Sequence, residues 1–537
     1  MARLPLSLAA LLLARATAAA APAAGGDYRV NATTLAQTIL GVGFEIQSDS
    51  IGSGNHGLPD ANTSVPGDLV PAERARFFAD MLAGFRFCRL ALGLYFRGLS
   101  PDNRSIVERW PGQAAGLAEM AAAAGLEGFA VEYWSPAPGW KNTSAYIDGT
   151  LVGFDAATLD AFGDAVAGDF RYLAAHGVAP VWGGLQNEPP VGPSRCIYSC
   201  CGYDAAQYHA AFAAVAPKLR AALPELVIHA SSWSGPHYSP QLAADPAALA
   251  LVDVWTYHDV GGDSNDQIAR RDYFLNGSAG KPIMNNEFEY LDSHTSPQRT
   301  VNTAQSIMNW LVFENAPAWF WLHALKPDVN SEADGYGLGV WQPTVNGSNA
   351  SRLPPGHWDY IPYNWNSLAG FTRYLPWDSV RVDVAEATVQ GDQRILAYLF
   401  DPAMVRWRAP GARQPPLAPG RGARATLLDA SASRAAASRL GFVLTNRGGA
   451  NYTFHLWLHG LGGVPARRAA AAAAEGGAGG AGAAHDAAMP RFTGHLYGPN
   501  TTDGDLGSAT AVPDPASGVP TLAVTLQPLE IQFWVED

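Results

Sequence analysis

The sequence predicts a (β/α)8 TIM barrel over residues 38–374, followed by a β-sandwich domain over residues 375–537. Three observations support this α/β class. Up to about residue 370, apolar runs with strand character alternate with helical patterns. After about residue 375, short alternating runs follow one another without helices between them. The length of 537 residues suits one large domain and one smaller one.

Eight apolar runs are predicted to form the barrel strands. They are nearly continuous in apolar character, as strands covered on both faces require. They span residues 40–47, 87–92, 128–133, 179–185, 226–230, 251–257, 282–288 and 318–322. A doubly wound open sheet is the alternative architecture for such a pattern. No Gly-x-Gly-x-x-Gly segment follows the first run, so dinucleotide binding lacks support.

Helical patterns connect these runs. Apolar side chains recur at spacings of three and four over residues 159–173, and Gly177 follows as a stop signal. Asp204 and Gln207 resemble a capping box, which predicts that a helix begins there. Pro71 is expected to begin a further helix.

Seven runs with strand alternation predict the second domain. They span residues 380–384, 395–400, 441–445, 452–458, 491–497, 522–526 and 530–535, and a strand within residues 27–36 could join them. Insertions at residues 409–424 and 466–489 are rich in Pro and Gly or in Ala and Gly. We expect both insertions to be flexible, because neither can bury enough apolar surface to offset its chain entropy.

The first 24 residues have the pattern of a secretory signal peptide. Arg3 precedes the apolar run 4–13, and small residues follow. Nine Asn-x-Ser/Thr triplets agree with export, and they begin at Asn31, Asn62, Asn103, Asn142, Asn276, Asn346, Asn349, Asn451 and Asn500. The sequence therefore predicts a glycoprotein that is secreted or delivered to a lysosome or vacuole. No later stretch is long enough to predict an integral membrane span.

The net charge of −13 argues against nucleic acid as a partner.

Three of the four cysteines crowd one loop, where a disulfide from Cys196 to Cys200 or Cys201 is favoured over a zinc site that has no histidine at ligand spacing. Cys88 is expected to be a buried free thiol. A solvated loop is favoured over calcium for the acidic residues Asp259, Asp263 and Asp266. No metal or cofactor is expected, and the oligomeric state is not predicted.

Two carboxylates stand where apolar runs end, which is where catalytic groups of a (β/α)8 barrel stand. Glu188 follows the fourth run within Asn187-Glu188-Pro189, and Glu287 lies near the end of the seventh. Strands four and seven lie on opposite sides of a barrel mouth, so both side chains can reach one bond, as glycosidic cleavage requires. Glu289 competes with Glu287, because residues two apart share a strand face.

Asn187-Glu188-Pro189 after strand four, with Glu287 after strand seven, resembles the retaining (β/α)8 glycosidases. More closely, the chain resembles glycoside hydrolase family 30, through stretches at residues 89–93, 133–141 and 363–374 that cover strands two and three and the segment joining the two domains. The resemblance implies a carbohydrate or glycoconjugate substrate. The family includes enzymes for glucosylceramide, β-glucans, xylan, galactan and fucosides, so neither the sugar nor endo against exo action is predicted.

The resemblance also implies roles for individual residues. Glu188 would be the general acid/base, and Glu287 the nucleophile that forms a covalent glycosyl-enzyme. Arg89 would hold Glu287 ionised and Asn187 would bind the sugar 2-hydroxyl. The other predicted contacts are Trp134 and Trp321 as walls of the sugar subsite, Tyr257 or His258 beside the nucleophile or substrate, and Glu45 with Gln47 pointing into the pocket.

The rival hypothesis is a secreted carbohydrate-binding protein on an inactive hydrolase scaffold, although both carboxylates are intact. A serine hydrolase lacks support, because no Gly-x-Ser-x-Gly elbow lies on a strand-to-helix turn.

Overall fold

The structure is a computed structural model that describes residues 24–48, 63–190, 196, 198–233, 239–258, 278–290, 295–328, 333–345, 351–387, 389, 391–404, 422–428, 438–461 and 489–537. Residues 1–23 of the predicted signal peptide, the acidic loop of Asp259, Asp263 and Asp266, and most of both predicted insertions lie outside the described residues.

The strands up to residue 360 are β1 (Ala24–Ile39), β2 (Gly41–Glu45), β3 (Phe87–Leu92), β4 (Gly98–Leu99), β5 (Ile106–Val107), β6 (Gly128–Tyr133), β7 (Pro180–Gly184), β8 (Val227–Trp233), β9 (Val254–His258), β10 (Ile283–Phe288), β11 (Ala318–Pro327), β12 (Gly337–Trp341) and β13 (Trp358–Tyr360). The later strands are β14 (Ser379–Glu386), β15 (Gln393–Phe400), β16 (Arg439–Asn446), β17 (Tyr452–His459), β18 (Arg491–Gly498), β19 (Thr501–Thr510), β20 (Val512–Pro513), β21 (Pro520–Leu526) and β22 (Glu530–Glu536).

The helices in chain order are α1 (Val65–Asp68), α2 (Pro71–Arg76), α3 (Gln113–Ala124), α4 (Ala156–Ala175), α5 (Ala205–Ala222), α6 (Ser239–Ala244), α7 (Pro246–Leu251), α8 (Pro297–Phe313), α9 (Ala333–Tyr336), α10 (Pro362–Tyr374) and α11 (Ala423–Leu428). The predicted capping box is confirmed, because the Asp204 side chain accepts from the Gln207 amide and the Gln207 side chain accepts from the Asp204 amide. No helix in the described part of the chain combines the length and hydropathy needed to cross a membrane.

The predicted barrel is confirmed. Eight strands pair in parallel in the order β10-β9-β8-β7-β6-β3-β2-β11, and a pairing between β10 and β11 closes the ring. Each of the eight predicted apolar runs contributes one of these strands. All residues of β3, β6, β9 and β10 are buried, as strands between a packed interior and an outer layer of helices must be.

An aromatic cluster fills the barrel interior. Phe87, Trp182 and Phe320 come from three strands, and their ring centroids lie 5.3–6.4 Å apart. Gly43 on β2 makes room for this cluster, because a Cβ atom there would overlap the Phe320 ring. Gly184 on β7 likewise makes room for the His229 ring, which a Cβ atom at Gly184 would overlap. The interior is therefore a closed floor of packed side chains beneath the mouth where the carboxylates stand.

The second domain is one ten-stranded, mostly antiparallel sheet, in the order β19-β18-β22-β16-β15-β14-β1-β17-β21-β20. Its apolar cluster draws on strands across this order, including Val30, Phe442, Leu456 and Phe492, so the sheet wraps around a single core. The predicted β-domain is confirmed in class, as a barrel-like sheet. β1 from the N-terminus pairs antiparallel with β14 and parallel with β17.

Helix α10 joins the two domains. Phe371 packs edge-on against Phe533 of β22, with ring centroids 5.2 Å apart. The Asn366 side chain donates to the Gly498 carbonyl at 2.9 Å. Gly370 lies directly against Phe533, and a Cβ atom on Gly370 would overlap that ring. The contact between helix and sheet thus depends on a residue without a side chain.

We expect Gly370→Ala to lower the free energy of unfolding by about 1–3 kcal/mol, because the added methyl group overpacks the contact with Phe533. Gly168→Ala is the matched control, since Gly168 also lies inside a helix and a Cβ atom there meets nothing within 4 Å. The control should gain about 0.5–1 kcal/mol from higher helix propensity. Chemical denaturation of both variants measures the two effects. An equal change in the free energy of unfolding would contradict the close contact between Gly370 and Phe533.

Candidate active site

The structure brings Glu188 and Glu287 together at the carboxyl ends of their strands. Glu188 follows β7, and Glu287 lies near the end of β10 on the other side of the mouth. One carboxylate oxygen of Glu188, one of Glu287 and a ring nitrogen of His258 all lie within 4.8 Å of one another. The Glu188 side chain is 25% exposed and that of Glu287 is 10% exposed, so Glu188 is the more open to solvent.

The backbone around Glu188 is held by both neighbouring strands. The Asn187 amide donates to the Tyr133 carbonyl at 2.6 Å, and the Glu188 amide donates to the Ser232 carbonyl at 2.9 Å. Glu188 has a φ of 35°, in the left-handed region that residues with a Cβ atom rarely adopt. Such a conformation persists where surrounding contacts fix it, and it often marks a functional residue.

Arg89 connects the parts of the site. Its guanidinium donates to Glu287, to Glu132 at 2.6 Å and to Asn187 at 2.5 Å. It also lies over the Trp134 ring at 4.4 Å. Burial alone would lower the pKa of Arg89, but the surrounding carboxylates outweigh burial and raise it. Arg89 therefore carries a fixed positive charge against Glu287.

Glu132 is a site residue that the sequence analysis missed. It lies on β6, is 1% exposed, and accepts hydrogen bonds from Arg89, Ser232 and Asn286. Burial raises the pKa of Glu132, but Arg89 and the nearby His229 and His258 outweigh it, so the pKa is lowered. The available signal was a single acidic residue inside the apolar run 128–133, which needs a buried partner.

His258 stands between the two candidate carboxylates. Its Nδ1 lies 2.7 Å from Glu188 Oε1 and 3.6 Å from Glu287 Oε2. Burial lowers the pKa of His258, but the charges of Glu287 and Glu188 outweigh burial and raise it. Of the two residues named for this strand, His258 meets the carboxylates, whereas Tyr257 is fully buried in the hydrophobic core.

Two further buried glutamates, Glu289 and Glu45, meet at the ring of His323. Glu289 meets His323 Nδ1 at 2.9 Å, and Glu45 lies 3.6 Å from His323 Nε2 and 3.8 Å from Arg89. Burial raises the pKa of both Glu289 and Glu45 well above the usual value. A raised pKa disfavours the ionised form that a nucleophile needs, which counts against Glu289 as the nucleophile. The sequence analysis named Glu289 only as a competitor of Glu287, and it did not name His323.

The two predicted aromatic walls lie in different places. Trp134 lies against Arg89 at the mouth. Trp321 is fully buried, donates to the Tyr336 carbonyl at 2.9 Å and packs on Phe288 at 5.8 Å. Phe288 lies between Glu287 and Glu289 in sequence, so it points away from the mouth, and Trp321 with it. The structure thus packs the Trp321 ring on Phe288, and the role of Trp321 as a subsite wall stays a prediction.

Two sets of side chains in the described residues have the spacing of metal ligands. In the set of Asp148, Cys196 and Cys200, the two cysteines form a disulfide with each other, and Cys88 and Cys201 are buried free thiols. In the set of Glu188, His258 and Glu287, the Arg89 guanidinium occupies one side of Glu287. A cation there would be repelled by that fixed charge.

Comparison with solved structures identifies the fold. The family 30 subfamily 8 xylanase Xyn30A from Clostridium acetobutylicum aligns with a TM-score of 0.59 and 15% identity, over 95% of this chain and 99% of that chain. The catalytic domain of xylanase C from Talaromyces cellulolyticus aligns with a TM-score of 0.59 and 15% identity, over 95% of this chain and 100% of that chain. An endo-β1,6-glucanase aligns with a TM-score of 0.59 and 12% identity, over 95% of this chain and 93% of that chain.

The chain has the fold of glycoside hydrolase family 30. This confirms the resemblance at the level of structure, at sequence identities of 15% and below. No protein-family model matches the sequence, and a search of the curated proteins finds no significant match.

We expect His258→Gln to destabilise the protein more at low pH than at high pH. The folded state binds the His258 proton more tightly than the unfolded chain does, because the folded pKa lies above the usual value of about 6.5. The resulting stability is fully present below about pH 6.5 and is lost as the pH rises through the folded-state pKa. The difference in unfolding midpoint between the wild type and His258→Gln should therefore shrink from about pH 5 to about pH 9.

His176→Gln is the control for this pH series, because His176 is exposed at the end of α4. It should leave the midpoint nearly unchanged at every pH. A difference for His258→Gln that stays constant across the range would show that the imidazolium is not the stabilising form.

Proposed function

We propose that the protein is a retaining β-glycoside hydrolase that acts by double displacement. The observation that carries the proposal is the approach of Glu188 and Glu287, with oxygen atoms within 4.8 Å and Arg89 bonded to Glu287. Retaining enzymes place their carboxyl groups ~5–5.5 Å apart, whereas inverting enzymes leave ~6.5–9.5 Å for a water molecule. The observed approach favours the retaining arrangement.

Glu287 is the proposed nucleophile. Arg89 donates a hydrogen bond to its carboxylate and holds a fixed positive charge against it, which orients the carboxylate for attack on the anomeric carbon. Glu188 is the proposed acid/base, which protonates the leaving oxygen in the first step and activates water in the second. Its greater exposure suits a group that must meet water, and His258 at 2.7 Å orients the carboxyl group. Asn187 remains the proposed partner of the 2-hydroxyl group.

The proposed substrate is a β-linked polysaccharide or glycoconjugate. The fold neighbours include xylanases and a β1,6-glucanase, which makes β-xylan and β-1,6-glucan the first substrates to test. We further propose that the protein follows the secretory route. Among the described triplets, Asn103, Asn142, Asn451 and Asn500 are exposed and therefore open to glycosylation, as that route would require.

We expect Glu188→Ala and Glu287→Ala to separate the two roles. Glu188→Ala should lower the rate on polysaccharide by about 10²- to 10⁴-fold, but less on aryl glycosides whose leaving group needs no proton. Azide should restore its activity and give a β-glycosyl azide, because azide then attacks the glycosyl-enzyme. Glu287→Ala should be inactive, and azide should give the α-glycosyl azide by direct displacement. Product anomers are read by NMR.

Glu119→Gln is the control variant, because Glu119 is exposed on α3, and it should keep wild-type rates. If the wild type first releases the α-anomer from a β-linked substrate, the retaining mechanism is wrong. If the wild type binds the sugars but cleaves none of them, the protein is the inactive carbohydrate-binding scaffold instead.

A further inference from the structure

Tyr198 lies at the mouth of the barrel and has no part in the mechanism above. It is half-buried and packs against the cluster of Ala91, Leu94, Tyr95 and Trp134. Trp134 in turn lies against Arg89, which donates to Glu287, so Tyr198 packs on the side chain that adjoins this part of the site. An aromatic ring that is partly open beside a catalytic pair offers a surface on which a sugar can stack.

Tyr198 lies inside a short loop that is closed by a disulfide. Cys196 and Cys200 are joined, so Tyr198 is the central residue of a five-residue ring of chain. The Cys196 amide donates to the Asp148 side chain, and the Cys200 amide donates to the Tyr146 carbonyl at 3.0 Å. Both ends of the ring are therefore fixed to the segment that follows β6.

A buried lysine links this loop to Trp134. Lys141 Nζ donates to the Cys200 carbonyl, to Ser135 Oγ at 3.1 Å and to the Tyr146 carbonyl at 3.0 Å. Ser135 directly follows Trp134 in sequence, so one ammonium group binds both the segment of Trp134 and the segment of Tyr198. A residue with this many restraints is held in place before any ligand binds, which reduces the entropy lost on binding.

The position of Tyr198 indicates which side of the scissile bond it faces. It lies in the connection between β7 and α5, the same connection that carries Glu188. The acid/base stands on the side of the leaving group, because it protonates the oxygen that departs. A ring on this side meets the departing sugar.

We propose that Tyr198 stacks on the leaving-group sugar and that the Cys196–Cys200 disulfide holds it there, which makes Tyr198 a specificity-determining residue. This inference rests on the proposed function, since it needs Glu188 as the acid/base. The ligand is a sugar residue on the departing side of a β-glycosidic bond.

The test compares two substrates in one variant. β-1,4-Xylotriose or β-1,6-glucotriose, whichever the wild type cleaves, has a sugar leaving group, whereas the matching β-glycosyl fluoride has none. Tyr198→Ala should raise KM for the oligosaccharide about tenfold or more, and kcat/KM for the fluoride should stay within about twofold of wild type. Tyr198→Phe keeps the stacking surface and should restore most of the lost oligosaccharide activity.

The disulfide is tested in the same assay. The double variant Cys196→Ser with Cys200→Ser should raise KM for the oligosaccharide but not for the fluoride. Adding Tyr198→Ala to it should cause little further change, because two changes that act through one contact are not additive. Retained activity on the fluoride shows that each variant has folded.

Three results would overturn the inference. They are equal losses on both substrates, an unchanged KM for the oligosaccharide in Tyr198→Ala, or full additivity of the disulfide and Tyr198 changes. The proposed function fails separately, if Glu287→Ala keeps wild-type activity on the glycosyl fluoride.

Discussion

The site depends on one buried positive charge. Arg89 is 1% exposed and contacts Glu132 and Glu287 directly, with Glu45 at 3.8 Å. A buried cation is tolerated only when it is paired and hydrogen-bonded, and the same holds for a buried carboxylate. One guanidinium cannot neutralise every acidic group at this mouth. The carboxyl groups are therefore divided between Glu132 and Glu287, which bond to Arg89, and Glu45 and Glu289, whose pKa burial raises.

That division assigns the chemistry. Glu132 is bonded to Arg89 and has a lowered pKa, so it is a permanent counter-charge that fixes the guanidinium. Glu289 lies two residues from Glu287 on the same strand face, but it faces His323 and burial raises its pKa. The surroundings thus shift the pKa of similar groups in opposite directions, which is how acid/base pairs are set apart in enzymes.

Much of the fold could be predicted from the sequence, because its main signals are local. Each barrel strand is a continuous apolar run, and the capping box at Asp204 is readable from two residues. β19 was missed because Thr501–Thr510 is largely polar and has no buried residue, so it lacks the alternation that marks a strand with one buried face. The neighbours of β1 in the sheet come from residues more than 300 positions away, which no local pattern reports.

The site was predictable only in part, for a related reason. Glu188 and Glu287 stand at strand ends, where position alone indicates a role. The contacts of Trp321 were not predictable, because β11 is buried along its whole length and its register shifts between Phe320 and His323. In such a strand the sequence does not show which residues point inward. Glu132 can be recognised as a site residue only through its partner Arg89, which lies 43 residues earlier in the chain.

The aromatic floor explains how this electrostatic division can be maintained. Phe87, Trp182 and Phe320 fill the barrel beneath the mouth, so buried carboxyl groups there have packed rings below them. Low polarity raises the cost of an unpaired charge and strengthens each paired one. The floor in turn requires Gly43, since any side chain there would displace Phe320. A residue with no chemistry of its own thereby sets the low-polarity surroundings in which Arg89 bonds to Glu132 and Glu287.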